Sequence, residues 1–147
     1  MFYVTLVTLL LVATATLLHY EVLQGLHRRL SGSPMPSRPK VLVVMATCFV
    51  AHALEIVLYG LGYWLLINHV GSGQLTGTAA EPQVTLSECL YFSGATYTSL
   101  GLGDLAPTGA LRMLAAAQAL HGLLLIGWTA SFLYIAMERF WTARHGR

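Results

Sequence analysis

Charge is the scarcest feature of this 147-residue chain: Asp, Glu, Lys and Arg together make up 10%, against about 25% in ordinary soluble domains. Hydrophobic residues reach 56% and the mean hydropathy is +0.65, which excludes a soluble globular domain and makes the lipid bilayer the expected surroundings. The formal net charge of +2 is too weak to argue for nucleic acid. Cysteine is nearly absent. Cys48 and Cys89 lie in apolar segments without metal-ligand spacing, so they read as small buried residues rather than a disulfide. No Ser/His/Asp order, metal cluster or pair of carboxylates converges in a loop, so neither enzyme chemistry, a cofactor nor a small-molecule substrate is expected.

What the chain has instead is apolar length. The first stretch, Phe2 to Leu18, carries only Thr and Tyr as polar groups and is just long enough to span a bilayer. Val12-Ala13-Thr14-Ala15 resembles a signal-cleavage site, but no basic region precedes it, so a retained transmembrane helix over residues 1–22 is expected. His19 and Glu21 are expected to be solvated at its polar exit. Leu23, Leu26 and Leu30, with His27, Arg28 and Arg29 between them, predict a short amphipathic continuation in the headgroup region. Three prolines between Ser31 and Lys40 end it, giving a basic, Pro-rich linker over residues 23–40. Arg28, Arg29, Arg38 and Lys40 place that linker in the cytoplasm and the N-terminus outside.

A second span over residues 41–69 then runs outward, with Tyr63, Trp64 and His69 at its outer end. Gly71 to Thr78 is a flexible outer loop closed by Pro82. Thr85-Leu86-Ser87-Glu88 has the form of a capping box opening a helix over residues 86–98. That helix is too short to span and reads as re-entrant. A third span over residues 110–137 returns inward. Glu138, Arg139 and the basic residues Arg144, His145 and Arg147 mark a cytoplasmic end, with residues 142–147 as a short tail and no ligand-binding domain expected after Trp141. The chain is thus expected to be a multi-pass protein of the plasma (inner) membrane.

Between the short helix and the third span lies Thr98-Ser99-Leu100-Gly101-Leu102-Gly103-Asp104. Alternating glycines let successive carbonyls turn toward one side, and such a row can replace water around a desolvated cation. Together with Leu90 to Tyr97 before it and Leu105 and Pro107 after it, this strip resembles the pore helix and selectivity filter of the potassium channel superfamily. The resemblance covers about Leu86 to Trp141, a pore domain over residues 41–141 of the bacterial, single-pore-loop, two-transmembrane type. Residues 1–22 would be an added helix packed on its outside.

The resemblance implies an all-α membrane fold of three transmembrane helices plus a re-entrant pore helix and filter loop, assembled as a homotetramer that conducts K+ passively. It places K+ at the carbonyls of Ser99, Leu100, Gly101 and Leu102, with Gly103 completing the filter and residues 99–104 forming it. Tyr91 would support Asp104 from behind, beside Thr98. Leu102 stands where that family usually has Tyr or Phe, and Ser99 where it has Thr. A weakly selective monovalent cation channel and a non-conducting scaffold or regulatory subunit are the alternatives. Arg repeats of a voltage sensor are missing.

Gly122 and Gly127, midway along the third span, are candidate gating hinges or small residues for close packing. His121 is expected to pack behind the filter. His52 and Glu55 form a candidate intramembrane pair: a pH-sensitive site, or a structural bond to a neighbouring helix through His121 or Trp128.

Overall fold

The computed structural model describes residues 1–77 and 84–142. The expectations for Thr78, Pro82, Arg144, His145 and Arg147 lie outside these residues. Three helices are long and apolar enough to cross a membrane: α1 (Phe2–Ser31), α2 (Ser37–Leu65) with the π-helical turn that prolongs it (Leu66–Val70), and α4 (Leu111–Thr142). The short helix α3 (Leu86–Tyr97) sits between α2 and α4 and packs against both. Two two-residue strands, β1 (Leu75–Thr76) and β2 (Ala106–Pro107), pair antiparallel. The architecture is all-α.

Local chemistry accounts for the helix ends. Thr8 and Thr16 in α1 return their hydroxyls to the Val4 and Val12 carbonyls at 2.7 Å, so these polar groups are satisfied within an apolar helix. Pro36 caps α2 and Pro39 falls in its first turn, where a missing N–H costs nothing. The basic linker is therefore shorter than expected. Residues 32–36 connect the two helices, and Arg38 and Lys40 belong to α2.

Helix α1 also runs on to Ser31. Leu23, Leu26 and Leu30 are buried with Val44 and Cys48 of α2, and Phe132 and Leu133 of α4 pack against them. The amphipathic stripe thus meets protein; the same spacing fits a lipid interface or a partner helix equally well. Helix α1 lies along α2 and α4 of its own chain.

At the C-terminal end of α2 the π turn closes on Gly71, left-handed at φ 66. Asn68 Nδ2 bonds the Trp64 carbonyl at 3.2 Å and the Val84 carbonyl at 3.1 Å, tying this turn to the approach to α3. Thr85 and Glu88 form the reciprocal capping box at the start of α3: Glu88 N–H donates to Thr85 Oγ1 at 3.3 Å and Thr85 N–H to Glu88 Oε2 at 2.8 Å. Cys48 and Cys89 are buried and free.

Helix α4 closes tightly on the end of α3. A Cβ on Gly122 would lie 2.2 Å from the Tyr97 carbonyl oxygen, whereas a Cβ on Gly127 would meet nothing within 4 Å. Gly122 is therefore required for close approach to the end of α3. Replacing it by Ala is expected to lower stability by about 1–3 kcal/mol, the usual cost of overpacking. Gly127→Ala is expected to be neutral or stabilising, by up to about 1 kcal/mol, through helix propensity. Thermal unfolding of the two variants in detergent, side by side, checks the contrast.

Candidate functional site

The strip begins where α3 ends. Ser99 N–H donates to the Thr96 carbonyl at 3.0 Å, and Leu100 and Gly101 N–H donate to the Ala95 carbonyl at 2.9 and 3.4 Å. The first three backbone donors of the strip are thus folded back onto the last turn of α3. Its acceptors are not: among the described residues, no hydrogen bond ends on the carbonyls of Ser99, Leu100, Gly101 or Leu102. Residues 98–104 are all exposed in the single chain, Leu100 by 63% and Leu102 by 56%.

Backbone handedness alternates along the same residues. Ser99, Gly101 and Gly103 have φ of 56, 57 and 80, and the leucines between them are not left-handed. Alternation of this kind turns successive carbonyls to the same side. Glycine adopts it freely, but a residue with a Cβ pays about 1–2 kcal/mol, so Ser99 is held there at a cost.

Two sets of contacts hold the strip from outside it. Tyr91 O–H donates to Asp104 Oδ2 at 2.8 Å, and Asp104 Oδ1 accepts Leu105 N–H at 3.0 Å. This bond to Asp104 raises the Tyr91 phenol above its ordinary pKa. Thr98 Oγ1 bonds the Gly94 carbonyl at 2.9 Å, closing the last turn of α3. Thr108 N–H donates to the Gln74 carbonyl at 2.9 Å and Thr76 Oγ1 to the Ala106 carbonyl at 3.1 Å, stapling the loop after α2 to the segment after the strip.

Behind the strip, polar groups join the helices in three tiers. Tyr63, Tyr59 and Glu55 recur every fourth residue on one face of α2, and all three are buried. Tyr63 O–H donates to Gln118 Oε1 at 2.9 Å, and Gln118 Nε2 reaches Ser93 Oγ of α3 at 2.8 Å. Tyr59 OH meets His121 Nδ1 at 2.9 Å, and His121 Nε2 meets Thr16 Oγ1 of α1 at 3.0 Å. Glu55 is bonded by His19 Nδ1 at 2.9 Å, by His52 Nδ1 at 3.1 Å and by the Tyr97 hydroxyl. Every buried side-chain polar atom among the described residues has a partner.

The third tier corrects two expectations. His19 is not solvated at a boundary; it is wholly buried against Glu55, with the Trp128 ring 5.4 Å from its own. Glu55 reaches its neighbours through His19 and Tyr97, while His121 serves Tyr59 and Thr16 instead. His52 and Glu55 do come together, and so do Tyr91 and Asp104. Sequence reasoning missed Tyr97, Gln118 and Thr129. The signal for Gln118 and Thr129 was a polar side chain inside an apolar run; Tyr97 lay hidden among the hydroxyl residues preceding the strip.

Compared with known proteins, residues 41–139 match a family model described as an ion channel. No curated protein and no solved structure gives a significant match. The matched region takes in α2, α3, the strip and most of α4.

Removing the Glu55 carboxylate strips His19, His52 and Tyr97 of their shared partner. Glu55→Ala is expected to cost about 3–5 kcal/mol, the usual penalty for breaking a buried ionic group. Glu21→Ala, at an exposed position, is expected to stay within about 0.5 kcal/mol. Denaturation midpoints in detergent test the difference, and equal midpoints would show that the tier contributes little.

Proposed function

The chain belongs to the ion channel family, and we propose that it conducts K+ passively through a pore that four copies of the 99–103 strip build around one axis. The observation that carries this reading is the row of exposed carbonyls at Ser99, Leu100, Gly101 and Leu102, left without donors in one chain while the N–H groups of Ser99, Leu100 and Gly101 are bonded to the end of α3. A carbonyl at membrane depth needs a partner, and a desolvated cation is one. The C-terminus of α3 delivers the strip, and the negative end of its dipole favours a cation there. One strip per chain cannot enclose an axis, so closure by symmetry requires several copies.

The helix order gives each part a role. Helix α2 is the outer helix, α3 the pore helix and α4 the inner helix, with Tyr91 and Asp104 bracing the filter from behind. Helix α1 seals the back of the same chain. On this reading the N-terminus is outside, the C-terminus is cytoplasmic, and the protein resides in the plasma (inner) membrane.

Exposure of Leu102 supports a second reading, a weakly selective monovalent cation channel. An aliphatic side chain at that position offers no ring hydroxyl to tether the strip, so the spacing of the carbonyl ladder is less firmly held.

Flux into liposomes separates the readings. Wild-type protein in a K+/Na+ gradient is expected to give a reversal potential near that of K+. Gly101→Ala forces a Cβ into the left-handed region in every copy, at about 1–2 kcal/mol each, and is expected to cut flux by roughly tenfold or more. Equal K+ and Na+ permeation would favour the weakly selective channel. Absence of flux, or an undisturbed Gly101→Ala, would argue against conduction through this strip.

A further inference from the structure

Conduction through the strip gives no reason for two imidazoles, a carboxylate and a phenol to converge among apolar helices. His19, His52 and Glu55 bring ligand atoms within 4.8 Å of one another, and Tyr97 OH lies 2.8 Å from His52 Nδ1. Thr129 shows what this arrangement suits. Its single hydroxyl lies 3.1 Å from His19 Nε2 and 3.0 Å from His52 Nε2, so it serves both rings at once.

Proton counting exposes a shortfall around an ionised Glu55. If both neutral rings carry their proton on Nδ1, two Nε2 lone pairs compete for the one Thr129 proton. If both carry it on Nε2, Thr129 accepts two good hydrogen bonds, but two Nδ1 lone pairs then face the carboxylate. One mixed pair leaves His52 Nδ1 and Glu55 Oε2 sharing the single Tyr97 proton, and the other leaves His19 Nδ1 facing Glu55 Oε1 with no proton between them. In every arrangement of neutral rings around the ionised carboxylate the cluster is one proton short, a proton that either an imidazole or Glu55 can hold.

We propose that this cluster is a transition-metal site of the zinc type, ligated by His19 Nδ1, His52 Nδ1, the Glu55 carboxylate and the Tyr97 oxygen. With both Nδ1 atoms on the metal, each ring keeps its proton on Nε2 and donates it to Thr129, the outer partner that fixes a metal-bound imidazole. Ligands about 2.0–2.1 Å from a tetrahedral zinc lie about 3.3–3.4 Å apart. The separations of 2.9 Å from His19 to Glu55 Oε1, 3.1 Å from His52 to Glu55 Oε2 and 2.8 Å from His52 to Tyr97 need expansion by roughly half an ångström or less to reach that spacing, and the closer Tyr97–Glu55 contact needs more. Two imidazoles with two anionic oxygens suit zinc rather than calcium or magnesium.

The exchange balances. One Zn2+ enters and two protons leave: the proton that makes up the shortfall on an imidazole or Glu55, and the Tyr97 phenol proton. The cluster stays neutral with Glu55 and Tyr97 as anions, as a low-dielectric interior demands. Ligands come from α1, α2 and α3 and the outer partner from α4, so one ion joins all four helices two residues ahead of Ser99.

Calorimetric titration of the purified, chelator-treated full chain with zinc chloride, in buffers of different ionisation enthalpy, tests the site. One zinc per chain with two protons released is expected, and Co2+ should give the absorption of a tetrahedral centre. His19→Gln and Thr129→Val are expected to weaken binding by about 10–100-fold, whereas His27→Ala and His69→Ala, at exposed positions, should leave it unchanged. Absence of binding, loss with the exposed histidines only, or equal binding by His19→Gln would overturn the site. Should the variants not fold, an octahedral or absent cobalt spectrum on the wild type would do the same. None of these outcomes bears on conduction, which liposome flux reads separately.

Discussion

An unpaired carbonyl oxygen is costly away from water, and the strip from Ser99 to Leu102 holds four of them in a row. Much of the molecule follows from that constraint. The N–H groups of Ser99, Leu100 and Gly101 are consumed by the end of α3, which fixes where the strip starts. Left-handed Ser99, Gly101 and Gly103 set the direction of the carbonyls. In isolation the chain leaves this surface exposed, and copies arranged around an axis would turn the same surface into a binding site for cations.

A row of oxygens could discriminate between ions only if its spacing held, and the tiers behind the strip bond the helix that carries it to its neighbours. In an apolar bundle, hydrophobic burial does little to fix one helix against another, because lipid is as apolar as a leucine side chain. Directional bonds do more. Gln118 holds Ser93 in the middle of α3, and Glu55 holds Tyr97 at its end, so the helix that carries the strip is pinned at two points along its length. Gly122 lets α4 close on the Tyr97 carbonyl. Helix α1 enters the same tiers through Thr16 and His19, which makes it part of the support behind the strip rather than an appendage.

What could be read beforehand was mostly local. The capping box at Thr85 and Glu88 lies within four consecutive residues, and the three apolar spans are a matter of length and composition. The strip was legible because its glycine spacing, hydroxyl run and trailing Asp104 are contiguous. Contacts between distant residues were not. His19 pairs with Glu55 across 36 positions and with Thr129 across 110, and nothing in the neighbourhood of His19 distinguishes a buried ring from one at a membrane boundary. Leu23, Leu26 and Leu30 failed for a related reason, since periodicity reveals that a face is apolar but not what covers it. Pro39 misled because a helix tolerates proline in its first turn, and where that turn starts is set by contacts elsewhere.

Closure of the strip around an axis is the claim from which the account of conduction follows, and the mass of the assembly in a lipid nanodisc tests it most directly. Four copies of the 16.0 kDa chain, held together without crosslinker, is the predicted result. A particle containing one or two copies would contradict it, because the carbonyls of Ser99 to Leu102 would then have no common axis to face.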